Sequence, residues 1–182
     1  MKVRRVVTGQ TAAGKSVFIS DEHLEPTTLR LLPGAEFHQV WGGDEPVLLP
    51  TDGARPHVPR YFPPASGFRF VVFTLGPDAV TTPADLDVGA ALAELQEKLP
   101  GLAEAMEPDS PGMHTTDTID YDIVLSGEVW LELDDGAEVR LGPGDCVVQN
   151  GTRHRWRNRT SEPCVIAVAL LGTTRSGPAG HR

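Results

Sequence analysis

The fold is decided between residues 114 and 171, a stretch that begins HTTDTIDYDIVLSGEVWLEL (residues 114–133). In residues 114–125, polar and apolar side chains alternate with the period of two that is typical of a β-strand. Five further short strand patterns follow, and turns such as Ser126-Gly127 separate them. We predict strands over Ile119–Leu125, Glu128–Leu133, Glu138–Leu141, Cys146–Gln149, His154–Asn158 and Cys164–Leu171.

The first 110 residues contain weaker patterns. Six prolines lie within residues 46–64, so we expect little regular structure there and an exposed loop histidine at His57. The apolar spacing predicts one helix over residues 85–99, before the stop signal Pro100-Gly101, and a short turn over Leu102–Met106. We predict strands over Val3–Val7, Ser16–Ser20, Leu29–Leu32, Phe37–Trp41 and Phe68–Leu75.

Short strands joined by glycine-rich turns indicate an all-β sandwich or barrel. We expect one structural domain, in which residues 1–110 pack as strands, proline-rich loop and helix on a barrel formed by residues 111–172. The tail, residues 173–182, has little apolar content and is predicted to be disordered.

Composition and charge limit the classes of protein to which the chain can belong. The chain has 182 residues and a formal net charge of −9, the wrong sign for a general binder of nucleic acid or of anionic membranes. No apolar run is long enough to cross a bilayer or to serve as a secretory signal behind the N-terminal arginines. Cys146 and Cys164 form neither a CxxC pair nor a disulfide framework, so we expect a cytoplasmic protein.

One motif match is misleading. Residues 9–16, GQTAAGKS, fit the phosphate-binding loop pattern G-x-x-x-x-G-K-[ST] letter by letter. That motif needs a helix directly after it, whereas the β-branched and aromatic residues Val17-Phe18-Ile19 follow here. We interpret the segment as a hairpin turn.

Two strands carry the polar residues of interest. In residues 153–159 four arginines alternate with His154, Trp156 and Asn158, and because four guanidinium groups will not share a dry interior, His154 and Trp156 should point inward. In residues 114–122, His114 and Asp120 lie on one polar face. That face is either the wet side of an edge strand or part of a barrel lumen, and the long N-terminal region, which must cover the apolar face, favours the lumen.

The spacing of these residues resembles the two conserved motifs of the cupin superfamily over about residues 112–171. The first motif has two histidines one residue apart, an acidic residue four positions later and a glycine seven beyond it. The residues that carry the resemblance are His114, Thr116, Asp120 and Gly127 for the first motif, and Gly144, Asp145, Gly151, His154 and Asn158 for the second. Three positions depart from the usual pattern: Thr116 replaces a histidine, Asp120 a glutamate and Gln149 a proline.

The resemblance implies a cupin-type double-stranded β-helix, or jelly-roll barrel, with a site in its mouth. It implies that His114, Asp120 and His154 bind a divalent metal ion as a facial triad, with Fe(II) favoured and Mn, Ni, Co or Zn possible. Thr116 would hydrogen-bond a bound water or substrate oxygen, and Trp130, Gln149 and Trp156 would line the pocket. In the alternative, a cupin that has lost its metal, Asp120 and His154 remain as general acid and base.

The expected function is that of a metal-dependent enzyme acting on a small oxygenated organic molecule, by dehydration, isomerisation or decarboxylation in secondary or aromatic metabolism. Two alternatives stay open: an Fe(II)-dependent dioxygenase that uses the same triad, and a non-catalytic cupin that binds a small ligand. The expected partners are a small-molecule substrate and a second copy of the chain, because cupins often pair through their sheets.

Overall fold

The computed structural model describes residues 1–176, which fold mainly into β-strands. Two helices, α1 (Val88–Lys98) and the single-turn α2 (Leu102–Ala105), lie between the fourth and fifth strands. The strands are β1 (Val3–Gln10), β2 (Ser16–Leu24), β3 (Glu36–Gly43), β4 (Phe68–Leu75), β5 (Thr118–Ser126), β6 (Val129–Glu132), β7 (Glu138–Leu141), β8 (Cys146–Gln149), β9 (Arg155–Arg157) and β10 (Cys164–Gly172).

Two antiparallel sheets enclose the main core. The larger has the strand order β3-β4-β10-β5-β8, and the smaller has the order β7-β6-β9. Val71, Ile166 and Val168 of the larger sheet pack in one buried cluster with Val129 and Leu131 of the smaller sheet. Two sheets that share a single apolar core form the jelly-roll barrel of a double-stranded β-helix, which confirms the predicted all-β fold.

The N-terminal region does more than cover the barrel. β3 and β4 are two of the five strands of the larger sheet, so residues 1–110 supply part of the barrel itself. Residues 29–32 form a turn rather than the predicted strand, and no strand or helix lies between β3 and β4, as the prolines predict.

The predicted helix is present as α1. Asp87 caps its N-terminus by accepting a hydrogen bond from the Ala90 N–H, and Ala91 and Leu95 are its buried residues. Leu95 packs in the main core, so the helix closes part of the barrel. The helix ends at Lys98, in front of the predicted stop signal at Pro100-Gly101.

The hairpin interpretation of residues 9–16 is confirmed. β1 and β2 pair antiparallel from Val3 opposite Leu24 to Gln10 opposite Ser16, and the glycine-lysine segment forms the turn between them. Val3 and Leu24 pack on Val40, Val72 and Val165, the outer apolar face of the larger sheet.

That hairpin leaves the outer face of β5 uncovered. Tyr121 is 50% exposed, and Ile123 and Leu125 are exposed as well. The expectation that the N-terminal region covers this apolar face is therefore wrong, because the hairpin packs on the outer faces of β3, β4 and β10 instead. The homodimer expected from the sequence stays a prediction.

Part of the predicted disordered tail makes ordered contacts. The Thr173 N–H donates to the Asp117 carbonyl at 2.9 Å, and the Arg175 guanidinium pairs with the Asp117 carboxylate at 2.7 Å. Arg175 also donates to the carbonyls of Thr116 and Gly151. The rest of that prediction, residues 177–182, lies outside the described residues. Within residues 1–176, no helix is long and apolar enough to cross a membrane.

Candidate functional site

The polar face of β5 and of the segment before it points into the barrel. Thr116, Thr118, Asp120 and Asp122 are all buried, whereas Tyr121 between two of them is exposed. The alternation of β5 therefore places its polar residues in the lumen, as the second interpretation of the sequence predicted. Burying two carboxyl groups on one strand is energetically costly unless they have a task or a partner.

His114 and His154 lie side by side in this interior. Their backbones exchange two hydrogen bonds, of 2.9 and 3.0 Å, and their imidazole ring centroids are 4.2 Å apart. The Nδ1 atom of His114 lies 3.0 Å from the Gly112 carbonyl oxygen, and that of His154 lies 2.9 Å from the Thr152 carbonyl oxygen. A carbonyl only accepts, so each Nδ1 carries the proton and each Nε2 keeps a free lone pair.

Both imidazoles are neutral near pH 7. Burial, followed by the neighbouring His114, lowers the pKa of His154 to about 3, although its hydrogen bond to the Thr152 carbonyl opposes the shift. Burial also lowers the pKa of His114. The pair therefore supplies two lone pairs rather than an acid.

The groups that titrate near neutral pH are carboxyls. Burial raises the pKa of Asp120 to about 6, and a hydrogen bond from the Thr118 hydroxyl offsets part of that shift. Burial and the charge of Asp120 raise the pKa of Asp122 to about 7. Burial, and to a smaller extent the charge of Asp120, also raise the pKa of the Tyr61 phenol. The proline-rich segment brings this phenol into the interior. Sequence reasoning missed Tyr61, and no periodic pattern in that segment marks it.

Two of the three side chains predicted as metal ligands, His114 and His154, lie together. His114 and His154 fit a divalent ion, because two neutral imidazoles offer free Nε2 atoms from adjacent positions. Asp120 has a buried Oδ1 atom without a hydrogen-bond partner, which suits a ligand by its chemistry. In residues 1–176, however, no three His, Cys, Asp or Glu side chains are grouped closely enough to hold a metal ion. The structure thus brings the two histidines together and leaves Asp120 outside that group.

Of the predicted pocket residues, Gln149 and Trp156 face inward. Gln149 pairs directly with Asp120 across β5 and β8 and is 4% exposed. Trp156 packs against the main core, and its ring meets the His154 ring edge-on at 6.2 Å.

Trp130 lies outside the barrel, which corrects its predicted place in the pocket. The guanidinium groups of Arg140 and Arg159 lie 5.8 and 5.5 Å from its ring centroid. Val129 and Leu131 on either side of it are buried, so the alternation of β6 turns Trp130 to the arginine-rich outer face.

A cavity of about 670 Å³ opens beside the start of β5, a size that suits a small organic molecule. Phe62 and Pro64 of the proline-rich segment and Met106 after α2 form apolar parts of its wall. Thr116 and Thr118 also line it, and their hydroxyl oxygens are 2.8 Å apart. Asp120 lies two residues further along the same buried face of β5 and is not itself part of the cavity wall.

The remaining residues are structural or exposed. Asn158 is fully buried, and its side-chain amide donates to the carbonyls of Leu75 and Glu162 while its oxygen accepts from the Thr160 N–H. It therefore ties the turn before β10 to the end of β4. His57 is exposed, as predicted, and does not line the cavity.

Comparison with known proteins identifies the domain that contains this site. A family model described as a cupin domain matches residues 104–170, the segment that runs from α2 through β10. Residues 104–170 of the chain therefore form a cupin domain. The cupin motifs thus contribute the buried face of β5 and the His114–His154 pair.

Two of three curated relatives of this chain are named as biosynthesis cluster proteins, and the third as an oxidoreductase. Phomopsin biosynthesis cluster protein C' of Diaporthe leptostromiformis is 54% identical over 48 residues, 26% of this chain and 25% of its own. Oryzines biosynthesis cluster protein J of Aspergillus oryzae is 34% identical over 116 residues, 56% of this chain and 63% of its own. A cupin-domain-containing oxidoreductase of Neurospora crassa is 35% identical over 89 residues, 43% and 45% of the two chains. The chain spans less than two thirds of each of these relatives.

Among solved structures, a cupin 2 conserved barrel domain protein from Salinispora arenicola is similar over 84% of this chain and 90% of its own. The sequence identity is 15% and the TM-score is 0.42.

Proposed function

We propose that this cupin is an enzyme of secondary metabolism that moves a proton on a small oxygenated organic molecule, in a dehydration, isomerisation or decarboxylation. The observation that carries the proposal is Asp120, a buried carboxyl with one unpartnered oxygen, two residues along β5 from Thr118, which lines a cavity. Its pKa of about 6 suits a general base near neutral pH. The relatives named for biosynthesis clusters support a role in such chemistry.

In this mechanism the substrate enters between the proline-rich segment and α2, where Phe62 and Met106 exclude water from its apolar part. Asp120, as carboxylate, takes a proton from the carbon next to a carbonyl group, and the electron pair of that C–H bond forms the enolate. The Thr118 hydroxyl orients the carboxylate through its hydrogen bond. In an isomerisation, Asp120 then returns the proton to a neighbouring carbon.

The first test follows deuterium uptake. The purified protein is incubated in D₂O with a panel of aliphatic and aromatic β-hydroxy ketones, and ¹H NMR records the loss of the proton signals next to the carbonyl. We expect exchange above the buffer rate, and a loss of about 100-fold or more in Asp120→Asn, because the amide cannot accept the proton. The matched variant Asp135→Asn changes an exposed turn residue and should exchange at the parent rate. Exchange at the buffer rate across the panel, or full exchange by Asp120→Asn, would overturn the proposal.

We also propose that His114 and His154 hold a divalent metal ion through their free Nε2 atoms, with Fe(II) favoured and Mn, Ni, Co or Zn possible. Such an ion would supply Lewis-acid polarisation of a carbonyl or enolate oxygen.

Elemental analysis of protein purified without a metal-binding tag tests this part. We expect a near-stoichiometric metal in the parent, lost in both His114→Ala and His154→Ala, since two nitrogen donors cannot be reduced to one without losing affinity. His57→Ala alters an exposed histidine and should retain the metal. Equal metal contents in all four proteins would refute the site while leaving the role of Asp120 intact.

A second candidate is an Fe(II)-dependent dioxygenase, which the relative named as an oxidoreductase favours. An oxygen electrode separates the two reactions. Stoichiometric oxygen uptake with turnover supports the dioxygenase, and turnover at the same rate without oxygen supports proton transfer. Ligand binding with neither turnover nor metal would identify a non-catalytic binding protein.

A further inference from the structure

Asp120 and Gln149 face each other inside the barrel. They are directly paired across the antiparallel strands β5 and β8, and they are 6% and 4% exposed. The Cβ atoms of two residues at such opposed positions lie about 4.5–5.5 Å apart. The two side chains therefore share one small region of the lumen.

Each of the two side chains keeps one polar atom without a partner. The Asp120 Oδ1 atom, an acceptor, and the Gln149 Nε2 atom, a donor, are both buried and make no hydrogen bond. The large majority of buried side-chain polar atoms are partnered in native proteins, and each unpartnered one costs about 1–3 kcal/mol. A donor and an acceptor left open on paired residues point to a bound group that satisfies both.

Neighbouring hydroxyl groups lie beside the Asp120 and Gln149 side chains. The Thr152 hydroxyl donates to the Gln149 Oε1 atom, so the amide oxygen is engaged and its NH₂ group is the free end. The Thr118 hydroxyl neighbours Asp120 on the same face of β5. Because the bond from Thr152 orients the Gln149 amide before any ligand arrives, little conformational entropy of that side chain is lost on binding.

The nearby carboxyls disfavour an anionic group, and the open N–H donor of Gln149 disfavours a cation, so a neutral group fits best. None of the ion pairs formed within residues 1–176 includes Asp120 or Asp122. The charge of Asp120 acts on Asp122, so a third carboxylate at this place would be repelled.

We propose that Asp120 and Gln149 together recognise a neutral substrate edge with one donor and one acceptor side by side, as in a β-hydroxy carbonyl compound or its enol. This inference rests on the proposed function, and it names the substrate class and a role for Gln149. The Gln149 N–H donates to the carbonyl oxygen, where negative charge develops as Asp120 takes the proton from carbon. The C–H electron pair becomes the enolate double bond, the carbonyl π pair moves to oxygen, and the proton ends on Asp120.

The test uses 2-pyridone, a flat ring with an N–H and a C=O on one edge, and N-methyl-2-pyridone, which lacks the donor. Binding is measured by NMR titration. For a ligand of this size we expect a Kd of about 1 mM for 2-pyridone and binding weaker by about tenfold or more for the methylated ring. Gln149→Glu, which replaces the donor by an acceptor at equal size, should weaken 2-pyridone binding by about tenfold. Gln96→Glu makes the same change at an exposed position of α1 and should bind as the parent does.

Thr152→Val provides a second variant in case Gln149→Glu does not fold. Loss of the orienting hydroxyl should weaken 2-pyridone binding by about threefold or more. Equal affinity for the two pyridones, unchanged binding by the Gln149 and Thr152 variants, or no binding by the parent would each overturn the inference. Deuterium exchange that depends on Asp120 but comes without a preference for 2-pyridone would refute the inference alone. The preference without exchange would refute the proposed function instead.

Discussion

Asp122→Asn is expected to make the protein more stable than the parent at about pH 8, by about 2 kcal/mol. Burial and the charge of Asp120 raise the pKa of Asp122 from 3.8 to about 7, so ionising it in the folded state is costly. A shift of three pKa units corresponds to a cost of about 4 kcal/mol for the ionised carboxylate, which the variant does not bear. Burying the Asn amide without a hydrogen-bond partner costs about 2 kcal/mol, so the net gain in stability is about 2 kcal/mol.

The direction in which the stability changes with pH follows from proton linkage. The unfolded carboxyl ionises near 3.8 and the folded one near 7, so the folded state binds more protons between these values. The stability of the parent therefore falls as the pH rises from about 4 to about 7, and levels off above that. Asp120, whose pKa is raised to about 6, contributes a fall of the same sign that ends at lower pH.

Urea unfolding at about pH 5 and pH 8 measures both effects. The gain from Asp122→Asn should be present at the higher pH and absent at the lower one. Asp135→Asn, at an exposed turn, should behave as the parent at both. A gain that is the same at the two pH values would show that Asp122 is not held protonated by the fold.

Gly127→Ala is expected to destabilise the protein by about 4 kcal/mol or more, or to prevent folding. Gly127 has a φ of +75°, which costs a residue with a Cβ about 1–2 kcal/mol. The added Cβ would also lie 2.5 Å from the Pro163 carbonyl oxygen and 2.8 Å from the Cys164 Cα atom. Both are backbone atoms at the start of β10, so the clash is relieved only by moving a strand of the barrel.

Gly136→Ala is the matched control. Gly136 has a φ of +72°, but no atom lies within 4 Å of a Cβ placed there. Thermal or urea unfolding should therefore show a loss of only about 1–2 kcal/mol for this variant. Equal losses for the two substitutions would mean that the close approach of Gly127 to β10 does not constrain the fold.

The alternating patterns of β5 and of residues 153–159 were readable in the sequence alone. They predict outward arginines and separate a polar from an apolar face on β5, and the structure places the polar face with Asp120 inside the barrel. The four arginines each pair with a carboxylate on the outside, as in Arg155–Glu132 and Arg159–Glu138. Such patterns are readable because the side-chain direction in a strand is a local property with a period of two.

The covering of the barrel could not be predicted in the same way. Tyr61 reaches the interior from a proline-rich segment without periodicity, and the same alternation that turns His154 inward turns Trp130 outward once β6 is in register with β9. Register and loop placement depend on partners that are distant in the chain, so no local pattern specifies them.

The sequence by itself determined the all-β class and the inward direction of His154 and Trp156. Its resemblance to the cupins added the jelly-roll fold and the expectation that His114 and His154 lie in one region. Only the tertiary structure decided the chemistry of that region. It holds the histidines neutral, raises the pKa values of Asp120 and Asp122, and leaves Asp120 and Gln149 with open hydrogen-bonding atoms. The physical reason is that desolvation, hydrogen-bond satisfaction and the action of one charge on another are set by groups brought together from separate strands.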